Sequence, residues 1–374
     1  MSTTTQPAAP KIRVRGRVRS FWQRVSEGRQ LDDLWTQFAA DARAGYGFYG
    51  RDVDWEEIQK LPRWRRPLHV TRQFFWALLL KLSPARRVLL LFAFVLLVLS
   101  GGNNIQFELF AAILFLLLLS LELADKVTMK RDLEIAREIQ SWLVPSHPPE
   151  VPGADIAFAT RPQNSVAGDY YDAFYPNAEA GPEGKLLVVI ADVAGKSVPA
   201  ALLMATLQAS LRTIAGEGAP LADLVARLNR YACAHSLDGR RFTTAVLAEY
   251  DPSSRHLIYV NAGHNAPVLR RANGGLEKLD VGGLPLGIQS RVVYETAALD
   301  LQPGDALIFY TDGVVEAFNE KNEEFGEGRW RAVIRSLPVL SAQESLQFLM
   351  KPVDEFVGAT RQADDITCLV FRSK

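Results

Sequence analysis

Cysteine is scarce in this sequence, which has only Cys233 and Cys368 among its 374 residues. The two lie far apart, in apolar surroundings with a helix-like and a strand-like pattern, so they predict neither a disulfide framework nor a zinc-ligand spacing. Two buried small hydrophobic residues in a reducing compartment are the favoured interpretation. The first 20 residues also lack the apolar segment of a secretory signal peptide, and we expect a disordered basic arm there.

Net charge is absent too, since 42 Lys and Arg balance 42 Asp and Glu, but the balance is uneven along the chain. Residues 1–87 carry 17 basic against 8 acidic residues, and residues 124–374 carry 25 against 32. A basic region beside an apolar one favours an anionic membrane surface. No nucleic-acid-binding signature accompanies it, so we expect no nucleic-acid partner. We interpret residues 1–87 as a basic cytoplasmic N-terminal region.

Long hydrophobic runs are confined to residues 88–123, where two apolar segments flank Gly-Gly-Asn-Asn at 101–104. Each run is short for a membrane span of about 20 residues. Two antiparallel membrane helices fit best, and a re-entrant or buried helical hairpin is the alternative. Basic residues flank the pair and place both ends on the cytoplasmic side by the positive-inside rule; they are Arg86, Arg87, Lys126, Lys130 and Arg131.

Residues 124–145 continue the second run as a helix with no breaker before Pro145. We interpret this segment as a connector helix. Ile135, Ile139 and Trp142 form one apolar stripe on it, which predicts a buried contact and allows a homodimer. A regulatory role and a passive spacer both remain open.

Residues 150–374 alternate short strands with helices. Neighbouring strand-like runs at hairpin-like separations predict antiparallel sheets with helices packed outside, an α+β layered domain. The predicted strands are 155–160, 185–192, 242–250, 256–260, 267–269, 306–311 and 366–371, and the predicted helices are 199–215, 221–234, 328–336 and 342–356.

Aspartates stand beside glycines or at the edges of these strands. Asp192 ends the apolar run that begins at Leu186, and Asp169, Asp312 and Asp364 have similar settings. Two carboxylates about 4 Å apart repel by roughly 4 kcal/mol at an effective dielectric constant near 20, and divalent cations would relieve that repulsion. Each aspartate taken alone has an alternative role in a turn or a helix cap.

Five motifs then point to one family. They are AGDYYD (167–172), DVAGKSVPAALL (192–203), AGHNAP (262–267), TDGVVEA (311–317) and DDIT (364–367). Their order resembles that of the metal-dependent (PPM-type) protein serine/threonine phosphatases, in the bacterial SpoIIE/RsbU-like branch. The resemblance covers residues 130–374.

The resemblance implies a layered α-β-β-α sandwich with two Mn²⁺ or Mg²⁺ ions at the sheet edge. Asp169 would bind one ion and Asp192 would bridge both. Asp312, Asp364 and the carbonyl of Val193 would complete the ligand set, since hard cations prefer such oxygens. A metal-bound hydroxide would attack phosphoserine or phosphothreonine. A nucleophilic aspartate is less favoured because no matching motif is present.

The resemblance also implies a phosphorylated regulatory protein as substrate, similar to an anti-sigma-factor antagonist, and a bacterial inner (cytoplasmic) membrane location. The alternative function is a non-catalytic, membrane-tethered module for partner binding or oligomerisation.

Further polar residues near the motifs have two interpretations each. His264 is either a catalytic acid or a structural residue, and Lys196 either meets phosphate or stays solvated. Glu316 and Asp172 either orient ligands or are ordinary polar positions. We expect Asp365 to bind backbone N–H groups.

Overall fold

The computed structural model describes residues 35, 46, 50, 53–101, 104–177, 179–235 and 241–374. The predicted basic arm, most of the region 1–52 and two residues of the Gly-Gly-Asn-Asn loop lie outside this part of the chain. The described chain forms two compact units, Met1–Asp125 and Lys126–Lys374.

Four helices account for most of the described part of the first unit: α1 (Trp55–Lys60), α2 (Arg66–Lys81), α3 (Pro84–Ser100) and α4 (Ile105–Leu143). Pro84 opens α3, where a missing N–H has no cost, and Gly101 ends it with a left-handed φ of 55°. Arg86 on α3 pairs with Glu122 and Asp125 on α4 at 2.8 and 2.7 Å. Helix α4 continues unbroken into the second unit, so the second apolar run and the predicted connector belong to one helix.

Two described helices are long and apolar enough to cross a membrane, Ile105–Leu143 and Val198–Ala215. The second buries Ala200, Met204 and Leu211 in a hydrophobic core of the second unit. Its apolar character therefore has a structural explanation without a membrane.

The second unit contains two sheets, whose strands are β1 (Ala154–Arg161), β2 (Asp169–Phe174), β3 (Leu186–Val193), β4 (Thr243–Asp251), β5 (His256–Ala262), β6 (Val268–Arg270), β7 (Leu276–Lys278), β8 (Gly282–Gly283), β9 (Ala297–Asp300), β10 (Ala306–Tyr310) and β11 (Ile366–Ser373). One sheet has the order β1-β11-β10-β6-β7. The other has the order β2-β3-β4-β5-β8, and β9 also pairs with β5. The described pairings are antiparallel except that between β5 and the two-residue β8.

Helices cover the outer face of each sheet, as the resemblance implied. Helices α5 (Val198–Ala215) and α6 (Leu221–Ala234) share a core with β2, β3 and β4. Helices α8 (Gly326–Ser336) and α9 (Ala342–Val357) pack on β10 and β11, after the one-turn helix α7 (Asp312–Val315). A third core lies between the two sheets, where Val188 and Ile190 meet Leu307 and Phe309. The predicted α-β-β-α sandwich is confirmed.

The apolar run before Asp192 shows why the sequence folds in this way. Along β3, Leu186, Val188 and Ile190 face the other sheet, whereas Leu187 and Val189 face the helices. A strand buried on both faces must be apolar throughout, which the run 186–191 satisfies.

The predicted strands and helices agree with the structure within about three residues at their ends, but four strands were missed. The motif AGDYYD includes the first four residues of β2, and its two aspartates disfavour a strand by local propensity alone. Strands β7, β8 and β9 have two to four residues each, too short for a periodic pattern.

Candidate metal centre

The four predicted aspartates come from four elements that end at the same edge of the sandwich. Asp169 begins β2, and it lies directly opposite Asp192 of β3 in the antiparallel register. Asp312 begins α7, two residues after β10, and Asp364 precedes β11, the strand that pairs with β10. The topology therefore brings together residues that are up to 195 positions apart in sequence.

Asp169 is 4% exposed and is held by two threonine hydroxyls. Its Oδ2 accepts hydrogen bonds from Thr311 Oγ1 at 2.9 Å and from Thr367 Oγ1 at 2.6 Å. The two threonines are themselves joined, because the Thr367 N–H donates to Thr311 Oγ1 at 2.9 Å. The sequence assigned no role to these threonines, although both lie within the motifs. Thr311 directly precedes Asp312, and Thr367 ends the motif DDIT.

Burial, followed by the facing charge of Asp192, raises the pKa of Asp169 well above its ordinary value. Burial and the charges of Asp312, Asp364 and Asp365 raise the pKa of Asp192 to about 7. Burial and Asp364 likewise raise the pKa of Asp312. Each of these carboxylates is thus less stable in its charged form than in water, and a nearby cation would reverse that penalty.

Lys196 supplies a cation at one side of the site. Its Nζ lies 2.9 Å from Asp364 Oδ2 and donates to the carbonyl of Ala363 at 2.8 Å. These two contacts argue against a freely solvated lysine, and the contact with phosphate stays a prediction. Lys196 holds Asp364 through an ion pair that is half exposed to solvent.

Asp365 accepts hydrogen bonds from backbone N–H groups, as predicted. Its Oδ1 accepts the Gln163 N–H and its Oδ2 accepts the Gly168 N–H, both at 2.6 Å. Gly313 approaches the Asp365 carbonyl so closely that a Cβ at this position would overlap it. A larger residue at 313 would therefore separate the Asp312 turn from the Asp364 turn.

His264 is buried, with 7% of its surface exposed. Its ring lies between Thr244 Oγ1 at 2.8 Å and the carbonyl of Tyr310 at 3.2 Å. Burial lowers the pKa of His264 to about 4, so the ring is neutral at physiological pH. A neutral ring donates Nε2–H to the carbonyl and accepts the threonine hydroxyl at Nδ1. This arrangement favours the structural role over the catalytic one.

The remaining candidates have separate positions. Asp172 faces the helices rather than the metal edge, where it accepts hydrogen bonds from Tyr170 at 2.6 Å and Arg212 at 2.8 Å. These contacts favour the structural alternative for Asp172. Glu316 is exposed one turn after Asp312, and burial with the Asp312 charge raises its pKa. Val193 is buried, with its carbonyl close to Gly168.

The residues at this edge suit hard divalent cations. Several carboxylates with raised pKa values face one another, and no hydrogen-bond donor from the described residues reaches the Asp192 carboxylate. Oxygen ligands of this kind are those that Mn²⁺ and Mg²⁺ take. Among the described residues, no group of three or more Asp, Glu, His or Cys side chains is already close enough together to hold a metal ion.

Gln140 of α4 binds the loop beside this edge. Its Nε2 donates to the Ala167 carbonyl at 2.8 Å, and its Oε1 accepts the Ala167 N–H at 2.9 Å. Ala167 is two residues before Asp169. The sequence does not predict this contact, because nothing in the local sequence of the helix indicates that Gln140 forms hydrogen bonds with a backbone 27 residues away.

Comparison with known proteins agrees with this arrangement. A sequence profile of the stage II sporulation protein E (SpoIIE) family matches residues 182–374. Protein IcfG of Synechocystis is 27% identical over 283 residues, covering 68% of this chain and 44% of IcfG. The phosphoserine phosphatase RsbU of Bacillus subtilis is 27% identical over 247 residues, covering 66% of this chain and 71% of RsbU.

The fold has a matching solved structure, the SiaA-PP2C domain of Pseudomonas aeruginosa. It aligns with 67% of this chain and 99% of that domain, with a TM-score of 0.57 and 21% sequence identity. The second unit therefore has the fold of the PP2C domain.

Proposed function

The chain belongs to the SpoIIE family, and from that premise we propose that it is a metal-dependent protein serine/threonine phosphatase. The observation that carries the proposal is the meeting of Asp169, Asp192, Asp312 and Asp364 at one sheet edge. All four aspartates are present in the motifs. A site that served only to bind a partner would be expected to have lost one or more of them.

Two Mn²⁺ or Mg²⁺ ions would be held by these four carboxylates, together with the carbonyl of Val193. When bound, such ions activate water and neutralise charge on the phosphoryl oxygens. The chain's own residues prepare the site. Thr311 and Thr367 fix the orientation of Asp169, and Asp365 fixes the loop at Gly168.

The proposed substrate is phosphoserine or phosphothreonine on a regulatory protein similar to an anti-sigma-factor antagonist. The motif resemblance to the SpoIIE/RsbU-like branch supports this substrate class, and so does the similarity to RsbU, a phosphoserine phosphatase.

We also propose that α3 and α4 anchor the chain in the bacterial inner membrane as a hairpin. Their apolar side chains are largely exposed in the first unit, including Phe92, Val98, Phe110 and Leu116. A soluble protein rarely exposes such continuous apolar surface. The basic flanks support a cytoplasmic location for the second unit.

The alternative is a membrane-tethered module whose output is partner binding or oligomerisation. One observation favours a dimer in either case. Ile135, Ile139 and Trp142 on α4 are 46%, 49% and 73% exposed, an apolar stripe that a second copy of the helix would cover.

Metal dependence is the first prediction. The full chain in detergent should hydrolyse a phosphoserine peptide with Mn²⁺ or Mg²⁺ and lose this activity in chelator. Asp312→Asn removes one charge from the edge and should lower turnover by a factor of ~100 or more. The rate of phosphate release measures both effects.

Asp223→Asn is the matched control, because Asp223 is an exposed aspartate in the first turn of α6. It should keep full turnover. Unchanged hydrolysis in chelator, or by Asp312→Asn, would contradict the two-ion assignment. A folded protein that binds Mn²⁺ but hydrolyses no phosphopeptide would favour the binding module.

A further inference from the structure

Two buried arginines lie at the end of the five-stranded sheet that is remote from the metal edge. Arg270 ends β6 and is 9% exposed, and Arg372 lies near the end of β11 and is 4% exposed. Both pair in register with Ala306 of β10, the strand between them. Ala306 begins β10, whereas Asp312 follows the other end of that strand.

Both arginines occupy the face of the sheet that the helices cover. Strand alternation puts Arg270 on the side of Val268 and Arg372 on the side of Val370, and both valines pack in the core beneath α8 and α9. Arg372 Nη1 donates to Ser345 Oγ at 3.2 Å, in the first turns of α9. The arginine therefore points to the N-terminal end of a 16-residue helix.

Three buried N–H groups of the pair have no hydrogen-bond partner: Arg270 Nε, Arg270 Nη1 and Arg372 Nη2. Among the described residues, no carboxylate lies within 4.0 Å of either guanidinium as an ion pair. Asp155 is opposite Arg372 in β1, but its Oδ2 accepts the Ala342 N–H at 3.0 Å. The two positive charges repel each other, and burial together with Arg270 lowers the pKa of Arg372, although the charge of Asp155 opposes this shift.

The chain provides carboxylates for arginines that are less buried than these two. Arg271, the next residue after Arg270, pairs with Glu277 at 2.7 Å and with Asp305 at 2.9 Å. Arg212 pairs with buried Asp172. An arginine stays charged in proteins, so a buried guanidinium needs an anionic or polar partner.

We propose that Arg270 and Arg372 form a binding site for a small inorganic oxyanion of the phosphate class. The planar N–H groups of arginine match the oxygens of such anions, and the Ser345 hydroxyl lies beside Arg372. Between the two side chains, Ala306 presents only a methyl group to this face. The site lies at the opposite end of the sheet from the metal edge and does not depend on the proposed phosphatase activity.

The test measures thermal unfolding of the full chain in detergent, with chelator present so that the metal edge holds no ion. Inorganic phosphate is titrated against chloride at constant ionic strength. The wild-type melting temperature should rise by several degrees and saturate, because a ligand that binds only the folded state stabilises it. Calorimetry should give one phosphate per chain.

Arg270→Met should abolish the phosphate response, and without phosphate it should melt at or above the wild type, because it removes an unpartnered buried charge. Arg271→Met is the control, since it should melt lower and keep the response. Ala306→Leu gives a second variant that keeps both charges and places a larger side chain between them, and it should also lose the response. An equal response in Arg270→Met, no saturable response in the wild type, or the same rise with chloride would overturn the proposal.

Discussion

Ser197 adopts a backbone conformation that residues with a side chain rarely take. Its φ is 66° and its ψ is −149°, a region that glycine occupies almost alone. The residue lies at the start of α5, directly after Lys196, which holds Asp364. Its hydroxyl makes no capping hydrogen bond to the helix, so no side-chain contact offsets the strain.

Replacing Ser197 with glycine should therefore stabilise the protein. The strain of such a conformation is on the order of 1–3 kcal/mol, and glycine relieves it at some cost in unfolded-state entropy, so we expect a net gain of about 1 kcal/mol. Chemical denaturation in chelator measures the free energy of unfolding.

Ser197→Ala is the matched control, because alanine removes the hydroxyl and keeps the Cβ. It should leave the free energy of unfolding within about 0.5 kcal/mol of the wild type. Equal stabilisation by alanine and glycine would show that the hydroxyl, rather than the backbone, is unfavourable at this position.

Two hydroxyl groups help Asp169 to lie opposite Asp192 in the pairing of β2 with β3. Thr311 and Thr367 both donate to one oxygen of Asp169, which favours its charged form. Burial and Asp192 still outweigh them, as the raised pKa of Asp169 shows. At the scale of single residues, the hydroxyl donors therefore favour the charged form of Asp169, but they do not offset the cost of burying its negative charge beside Asp192.

At the scale of elements, the last turns of α4 have two different faces. Gln140 and the partly buried Leu133, Ala136 and Leu143 lie on the inner face, where Gln140 binds the Ala167 backbone. Ile139 and Trp142 lie on the exposed outer face. The sequence leaves a regulatory role and a passive spacer open for this helix, and the two faces allow these roles to be tested separately.

Gln140→Ala should weaken Mn²⁺ binding by about 10-fold, because loss of both hydrogen bonds frees the loop that carries Asp169. Calorimetric titration of Mn²⁺ measures this affinity.

Ile139→Asp, on the outer face, should change turnover or oligomeric state and leave the melting temperature of the second unit nearly unchanged.

Light scattering distinguishes a dimer from a monomer in these experiments. If both variants match the wild type in Mn²⁺ affinity, turnover and oligomeric state, the helix is only a spacer. Weaker Mn²⁺ binding in Ile139→Asp with normal binding in Gln140→Ala would contradict the assignment of the two faces.

At the scale of the whole molecule, the charge distribution and the apolar helices predict a membrane topology. An impermeant thiol reagent applied to intact cells should label Asn104→Cys, between the two apolar runs. It should not label Met129→Cys, which is 65% exposed on α4 but predicted to be cytoplasmic. The fraction of labelled protein is measured by a mass shift on gels.

These substitutions are made in a Cys233→Ser background, since Cys368 is buried and Cys233 is partly exposed. Permeabilised cells provide the control, in which both positions should react. Labelling of neither position in intact cells would favour a re-entrant hairpin. Labelling of Met129→Cys alone would reverse the predicted orientation.

The sequence alone determined the family, the layered α+β fold and most of the secondary structure. A buried strand such as β3 needs an apolar run, and glycines beside aspartates mark sharp turns, so local chemistry identified both. The five motifs in order then indicated the four aspartates of the candidate centre. Their meeting at one edge follows from the observed register and strand order.

Other features depended on the tertiary structure. The threonine support of Asp169, the Gln140 contact and the buried Arg270–Arg372 pair each join residues far apart in sequence. No local pattern records such contacts, because strand pairing and helix packing decide which side chains share a face. The same reason explains β2, in which Asp169 and Asp172 are tolerated only because hydroxyls and Arg212 reach them from other elements.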